Sequence, residues 1–382
     1  MSAAASPHAA ADLGNDPREL LPAALRDPQS AADWPVPRLS LLLHQARRAG
    51  LLGRLAERMS SAAGATAPPA LAAHFESARR VTRAQQAEIR RETAFLMKSL
   101  EEIDAPVVLL KGAAYVMAGL PAASGRVFGD IDIMVPRAAL DAVEARLMAT
   151  GWVSTHTSAY DQRFYREWMH ELPPMEHSQR GTALDVHHAI VPLTARLKPD
   201  AASMFARAVP VPGQPGLFVL ASDDMVLHSM THLFMNDDTH YALRDLSDLD
   251  LLLRHFAETD TDFWARLVDR AAAQGLGRPL LDAVGQLRRL MATPVPAPAW
   301  QAIEQRFARS QPTRALMQGI WSRVIRSPHP STARPGAALA LGLLYLRGHW
   351  LRMPPLMLAR HLTIKALRLH EPADDSAERT VG

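Results

Sequence analysis

The chain has 382 residues, of which 48% are hydrophobic and 21% are charged, so it is long enough for a sizeable core and has the composition of a globular protein. It contains no cysteine, which excludes disulfides and thiolate chemistry, and any metal site must therefore use oxygen or imidazole ligands. A formal net charge of +3 excludes a general polycation but permits a local basic face.

The N-terminal segment, residues 1–35, is rich in Ala, Pro and Asp, and we expect it to be mobile. It lacks a basic start and a continuous apolar run, so it is not typical of a signal peptide. The most apolar stretch, residues 336–346, has roughly ten residues and is too short to span a bilayer. A cytoplasmic protein is therefore expected.

Residues 36–104 are predicted to be helical. A broad apolar stripe ends at Gly50, a segment with two prolines forms a linker at 63–70, and a long helix follows from about Pro69 to Ile103. The arginines of this long helix are most simply interpreted as a solvated surface, and the alternative is that they flank a phosphate-bearing cleft.

Residues 105–215 show a different pattern, in which short apolar or alternating segments predict strands. Residues 106–110 are an apolar strand candidate that ends at Lys111, a helix is predicted over 113–120, and a loop of small residues reaches Gly129. Residues 130–134 alternate between polar and apolar, so Asp130 and Asp132 lie on one face of a strand. A later strand over 182–191 carries Asp185 and His187, which share one face by the same period.

Two carboxylates on one strand face repel each other, and a cation usually lies between such groups. Hard divalent ions such as Mg2+ prefer oxygen ligands and commonly bind one or two carboxylates together with substrate phosphates. The simpler alternative is a strand end that carries two acids by chance. No P-loop or Rossmann glycine fingerprint is present, and beyond Ser222 the chain is predicted to be helical.

The order of these motifs resembles the nucleotidyltransferase superfamily that includes DNA polymerase beta. More narrowly, the chain is similar to an uncharacterised bacterial nucleotidyltransferase-like family. The motifs that carry the resemblance are Leu110-Lys111-Gly112, Arg126, Asp130-Ile131-Asp132 and Leu184-Asp185-Val186-His187. The likeness extends from about residue 40 to about residue 245, although Ala113 stands where the superfamily usually has Gly or Ser.

The resemblance implies an α+β fold, in which a small mixed β-sheet nucleotidyltransferase core is flanked by N-terminal and C-terminal helical regions. The expected organisation is a mobile N-terminus at 1–35, a helical lead-in at 36–104, the core at 105–215 and a helical domain at 216–382. It also implies a Mg2+- or Mn2+-dependent enzyme that transfers NMP from an NTP such as ATP by two-metal in-line displacement. The acceptor is not identified by the sequence; a small molecule, a sugar phosphate, a protein side chain and an RNA end are all open.

Site residues are implied by the same resemblance. Asp130 and Asp132 would bridge two ions, and Asp185 would bind the catalytic ion and help to deprotonate the acceptor hydroxyl. The backbone at Gly112 and Ala113, at the start of a helix, would approach the triphosphate. Lys111 and Arg126 are candidates for the cations that bind phosphate. The alternative for each is an ordinary surface charge. His187 would orient Asp185 or contact the acceptor, or it is structural.

Other interpretations remain open. The fold could be kept by a catalytically inactive nucleotide- or partner-binding module, or by a toxin-like enzyme that modifies RNA. His228 and His232 have the i,i+4 spacing of a transition-metal pair, although core packing is the simpler interpretation. Arg244 and Asp248 have the spacing of a helix ion pair, and alternatively their helix closes over the nucleotide or the acceptor. The basic, aromatic segment 345–355, with its continuation over 360–368, is either a docked amphipathic helix or a contact for a membrane surface or nucleic acid.

Overall fold

A single mixed β-sheet lies between N-terminal and C-terminal helices in the computed structural model, which describes residues 16–61, 68–156, 158–235 and 239–354. This arrangement confirms the predicted α+β class. The seven strands of the described residues are β1 Val107–Leu110, β2 Asp130–Met134, β3 Trp152–Ser154, β4 Met175–His177, β5 Ala183–His187, β6 Val209–Pro210 and β7 Leu217–Val219. Their order across the sheet is β3-β4-β5-β2-β1-β7-β6.

The helices fall into three groups along the chain. Before the sheet lie α1 Leu20–Arg26, α2 Pro28–Ala32, α3 Val36–Arg48, α4 Leu52–Ser61 and α5 Pro69–Ser99. Between the strands lie α6 Lys111–Met117, α7 Leu140–Ala149, α8 Ala159–Trp168 and α9 Ala201–Ala206. After the sheet come α10 Ser222–Met235, α11 Ala242–Thr259, α12 Phe263–Ala273, α13 Gly277–Leu290, α14 Ala297–Phe307, α15 Gln311–Val324 and α16 Ala337–Arg352.

The prediction of a mobile segment over residues 1–35 is wrong for its second half. Residues 17–32 form a 3-10 turn followed by α1 and α2, and residues 20–25 are all buried, because this apolar run packs into the core. Glu19 is also buried and forms an ion pair with Arg334 near the other end of the chain. Residues 1–15 lie outside the described residues.

The strand register brings the acidic residues together. All four residues of β1 are buried, and β1 runs antiparallel to β2 with Leu110 opposite Asp132. β5 runs parallel to β2 on its other side, with Asp185 opposite Asp132. Ile131 and Ile133 of β2 are fully buried, so the aspartates occupy the opposite face of the strand. The predicted strand alternation is thus realised at this position.

The sheet also extends past residue 215, where the sequence placed the end of the core. β7 lies parallel to β1, with Val108 opposite Phe218, and β6 pairs with β7 at the edge of the sheet. Pro210 is tolerated in β6 because an edge strand has a free side. In the described part of the chain, no helix combines the length and the apolar character needed to cross a membrane.

Candidate active site

A cavity of about 530 Å³ opens where β2, β5 and α6 meet α10 and α11. Most of the site residues predicted from the sequence line this cavity, namely Lys111, Gly112, Arg126, Asp130, Asp132, Asp185 and His187. Ala113 is buried and is not among the lining residues. The structure therefore brings the three predicted acids to one place.

Asp132 is the buried member of the acidic set, with 3% of its surface exposed. Its Oδ1 accepts hydrogen bonds from Lys111 Nζ at 2.8 Å and from His187 Nε2 at 3.1 Å. Burial alone would raise the pKa of Asp132, but the charge of Lys111 and the bond from His187 hold that pKa well below its usual value. Asp132 is therefore ionised, and both contacts leave Oδ2 as the oxygen that can bind a cation.

The pKa values of Asp185 and Asp130 are raised, in contrast to that of Asp132. Burial, followed by repulsion from Asp132, raises the pKa of Asp185 to about 7. Repulsion from Asp132, followed by burial, raises the pKa of Asp130, whose residue is exposed at the start of β2. Ligand atoms of Asp132, Asp185 and His187 all lie within 4.8 Å of one another. The cavity thus holds an excess of negative charge that an additional cation would relieve.

Lys111 supplies part of the compensating charge from inside the protein. Burial would lower the pKa of Lys111, but Asp132, Asp130 and Asp185 outweigh that effect and raise it. Lys111 also has a left-handed backbone, with φ of 44°, at the first residue of α6. Such conformations are costly for residues other than glycine and are concentrated at functional sites. Its ammonium is bonded to Asp132, so a role as a phosphate cation stays a prediction.

Arg126 lies at the wall of the cavity but is held by a buried acid. Its Nε donates to Asp248 Oδ2 at 2.7 Å, and its Nη1 donates to the carbonyl of Val127, so two of its three nitrogens are used within the protein. The other carboxylate oxygen of Asp248 accepts from Nη1 of Arg54 at 2.7 Å. The predicted Arg244–Asp248 pair is wrong, because Asp248 faces these two arginines.

Gly112 is required by neighbouring protein atoms. A Cβ at this position would lie 2.5 Å from Arg126 Nη1 and 2.8 Å from Phe128 Cδ1, both too close for a real contact. We therefore expect Gly112→Ala to displace Arg126 and to lower the free energy of unfolding by about 1–3 kcal/mol. Denaturant unfolding of this variant beside Gly129→Ala, where a Cβ meets nothing within 4 Å, measures the effect. Equal stability of the two variants would contradict this packing.

His187 links two acids, one of which the sequence did not identify. Its Nε2 contacts Asp132, and its Nδ1 lies 3.2 Å from Glu171 Oε2. Burial would lower the pKa of His187, but these carboxylates raise it. Its hydrogen bond is to Asp132 and not to Asp185, and a contact with the acceptor stays a prediction. Glu171 reaches the site through an isolated bridge to His187, for which the sequence of this segment carries no periodic signal.

Residues of α10 and the start of α11 complete the cavity. Tyr241, Arg244 and Asp245 of this region and His232 of α10 line it, and Arg244 Nη2 donates to Asp245 at 3.0 Å. The α11 segment therefore lies at the cavity, and its closure over a ligand stays a prediction. His228 is buried, which lowers its pKa to about 3. In the described residues, the groups of three or more side chains with metal-ligand spacing are Asp132/Asp185/His187 and His170/Glu171/His187, and neither group contains His228 or His232.

A protein-family model described as "Uncharacterised nucleotidyltransferase" matches residues 37–292, which is more than half of the chain. No curated protein and no solved structure matches the chain. The matched range contains every predicted site residue together with Arg54, Glu171 and Asp248, whereas α14, α15 and α16 lie beyond it.

Proposed function

We propose, from the premise that the chain belongs to the uncharacterised nucleotidyltransferase family, that it transfers NMP from an NTP to an acceptor in a Mg2+-dependent reaction. The observation that carries this proposal is the convergence of Asp130, Asp132 and Asp185 on one open cavity. A volume of about 530 Å³ falls within the usual range for small-molecule sites.

The donor set fits a divalent ion. Carboxylate oxygens of Asp132 and Asp185 lie close together with His187, and Asp130 adds a third acid at the same cavity. Oxygen ligands suit both Mg2+ and Mn2+. We infer that Asp130, Asp132 and Asp185 would hold the ion. When bound, it would supply positive charge to the phosphate oxygens.

The residues of the chain itself have separate roles in this proposal. The acceptor oxygen forms a bond to the α-phosphorus of the NTP while the bond to pyrophosphate breaks. Asp185, ionised once the ion is bound, accepts the proton of the acceptor hydroxyl on its carboxylate. His187, held between Glu171 and Asp132, fixes the orientation of the Asp132 carboxylate.

One observation favours the alternative of a non-catalytic module. The Lys111 ammonium already contacts Asp132, so the protein partly neutralises its own acids. A module of this kind would have little need of a divalent ion. The two functions therefore differ in whether Mg2+ binds to the cavity, and in whether that binding depends on Asp185.

Binding of Mg2+ is expected to strengthen with pH. Asp185 must release its proton to bind the ion, and the raised pKa of about 7 means that the proton competes below neutrality. We expect the affinity at pH 6 to be about tenfold lower than at pH 8. Calorimetric titration measures this ratio, and the dependence should become much flatter in Asp185→Asn. An affinity that is unchanged between these pH values would argue against Asp185 as a ligand.

Transfer itself is tested with each NTP labelled at the α-phosphate, in the presence of Mg2+ or Mn2+ and a cell extract. Wild type is compared with Asp130→Ala/Asp132→Ala, and Asp141→Asn on the exposed side of α7 serves as the control. Label transfer that is lost only in the double variant supports the enzyme. Nucleotide binding without transfer to any component would support the non-catalytic module.

A further inference from the structure

α16 presents an apolar face to solvent. Every exposed residue of this helix is Ala, Gly, Leu or Trp, and the most exposed large ones include Leu339 at 68%, Leu346 at 57% and Trp350 at 49%. Surface helices normally place charged and polar residues on the solvent side. This helix therefore has the reverse of the usual pattern, and contiguous exposed apolar surface of this kind marks an interaction site.

The orientation of α16 is fixed by polar contacts on its inner side. Arg347 donates to the carbonyl of Phe234 in α10 at 2.7 Å, and its Nη2 lies 3.9 Å from Asp282 Oδ2 in α13. Arg347 thus holds the helix against the protein, and rotation to hide the leucines would break these contacts. The outward apolar face is a property of the folded chain.

The exposed side chains form one stripe. Leu339, Leu343, Leu346 and Trp350 are separated by four, three and four residues, which places them along a single helix face. α15, which packs against α16, carries a further exposed leucine, Leu316, at 57%. We call Leu339, Leu343, Leu346 and Trp350 the leucine stripe.

Unpaired positive charge lies beside both ends of the leucine stripe. Residues 305–354 contain eight Arg and no Asp or Glu, and acids of other segments pair with five of these arginines, namely Arg306, Arg309, Arg314, Arg334 and Arg347. Near the start of α16, Arg323 donates to the carbonyls of Pro335 and Gly319, and no acid in the described part of the chain pairs with it. At the other end, the exposed Arg196 lies 4.1 Å from the centre of the Trp350 ring and donates to the Trp350 carbonyl. A partner of this face must therefore offer both negative charge and apolar surface.

We propose that the leucine stripe docks the protein on the surface of an anionic phospholipid bilayer. Leucines enter the boundary between headgroups and acyl chains, Trp350 occupies the interface, and the neighbouring arginines bind lipid phosphates. A second copy of the chain would bring the same positive charge against this face. Nucleic acid would meet the arginines but leave the leucines in water. Of these partners, the anionic bilayer satisfies both requirements.

The docked face adjoins the cavity. Arg352, the last residue of α16, lines the cavity, and its carbonyl accepts a hydrogen bond from Thr194 Oγ1. Docking by the leucine stripe would therefore hold the cavity beside the lipid surface. The proposal depends on residues other than the three acids, so it stands or falls independently of nucleotidyl transfer.

Vesicle binding of the full chain tests the proposal without nucleotide. We expect co-sedimentation with vesicles of phosphatidylcholine and phosphatidylglycerol, weaker binding to phosphatidylcholine alone, and release by added salt. Leu339→Ser/Leu343→Ser/Leu346→Ser should lower the affinity at least about tenfold, because apolar burial drives insertion. The matched control is Val36→Ser/Val81→Ser/Met148→Ser, which alters similarly exposed residues elsewhere and should bind as the wild type does. Equal binding by both triple variants, or no binding by the wild type, would overturn the proposal.

Labelling of a single introduced thiol distinguishes a lipid bilayer from a protein or RNA partner bound to the leucine stripe. Because the chain has no cysteine, Leu346→Cys provides one reporter for a water-soluble maleimide. We expect rapid labelling of the free protein and at least about tenfold slower labelling when anionic vesicles are added. Protection of the thiol without vesicles would show that protein already covers the stripe, either a second copy or another part of the chain. That result, or protection by RNA and not by vesicles, would overturn membrane docking.

Discussion

Replacement of Asp130 by asparagine is expected to lower nucleotidyl transfer by at least about 1,000-fold, which corresponds to about 4 kcal/mol of transition-state stabilisation. The change removes one of three carboxylates from the cavity but keeps the size of the side chain. Asp130 is exposed, and its pKa is raised mainly by repulsion from Asp132. Loss of its charge should therefore leave the free energy of unfolding unchanged or slightly higher.

A large loss of transfer rate without a loss of stability distinguishes a functional residue from a structural one. Initial rates with labelled NTP and denaturant unfolding are measured on the same preparations, with Asp141→Asn as the control at an exposed aspartate outside the cavity. A transfer rate within about tenfold of the wild-type rate, with normal folding, would remove Asp130 from the catalytic set.

Replacement of Asp248 by asparagine is expected to lower the free energy of unfolding by about 3–5 kcal/mol. Asp248 is 3% exposed and binds two buried arginines, one through each carboxylate oxygen, at 2.7 Å from Arg54 Nη1 and 2.7 Å from Arg126 Nε. Without the carboxylate, both buried guanidinium groups lose the charge to which they are hydrogen-bonded, and their uncompensated desolvation is the source of the cost.

The matched control for the Asp248 variant is a change in a solvent-exposed ion pair of the same protein. Arg80 and Glu76 form a 2.9 Å pair on α5 with side chains that are 76% and 54% exposed. Glu76→Gln should change stability by less than about 0.5 kcal/mol, because exposed pairs are screened by solvent. Chemical denaturation of both variants measures the difference. A cost below about 1 kcal/mol for Asp248→Asn would mean that the Arg54–Asp248–Arg126 cluster does not anchor α11 to α4 and to the loop before β2.

Local patterning predicted the centre of the site. The alternation over residues 130–134 has period two, and this alone places Asp130 and Asp132 on the face opposite Ile131 and Ile133. The resemblance to a nucleotidyltransferase family is confirmed by the match over residues 37–292. The resemblance added Asp185 to the predicted site. The position of Asp185 beside Asp132 depends on the parallel register of β5 and β2, which no local pattern specifies.

The supporting contacts could not be predicted because they join distant parts of the chain. Arg54 and Asp248 are separated by 194 positions, and Arg126 and Asp248 by 122. The sequence instead suggested the local pair of Arg244 and Asp248, since i,i+4 spacing is the only relation visible without a fold. Glu171 was missed for the same reason, because its contact with His187 arises from the packing of two segments.

The N-terminus shows how composition alone misleads. Residues 1–35 are uniformly rich in Ala and Pro, but Leu20, Leu21 and Leu25 supply enough apolar surface to bury a helix against the core. The partner of Glu19, Arg334, is separated from it by 315 positions, so the sequence offers no sign that this segment is held. Apolar clusters within an Ala-rich segment are the signal that was available.

The central claim is that the three acids hold a divalent ion where the NTP binds. The most direct test is a crystal of the full chain grown with Mn2+ and a non-hydrolysable NTP analogue, in which anomalous scattering locates the metal. We predict a peak ligated by Asp132 and Asp185, with Asp130 contributing a third carboxylate and the triphosphate in the same cavity. A well-ordered triphosphate bound away from these carboxylates, or a cavity in which Lys111 still occupies Asp132 and no metal peak is present, would contradict the account.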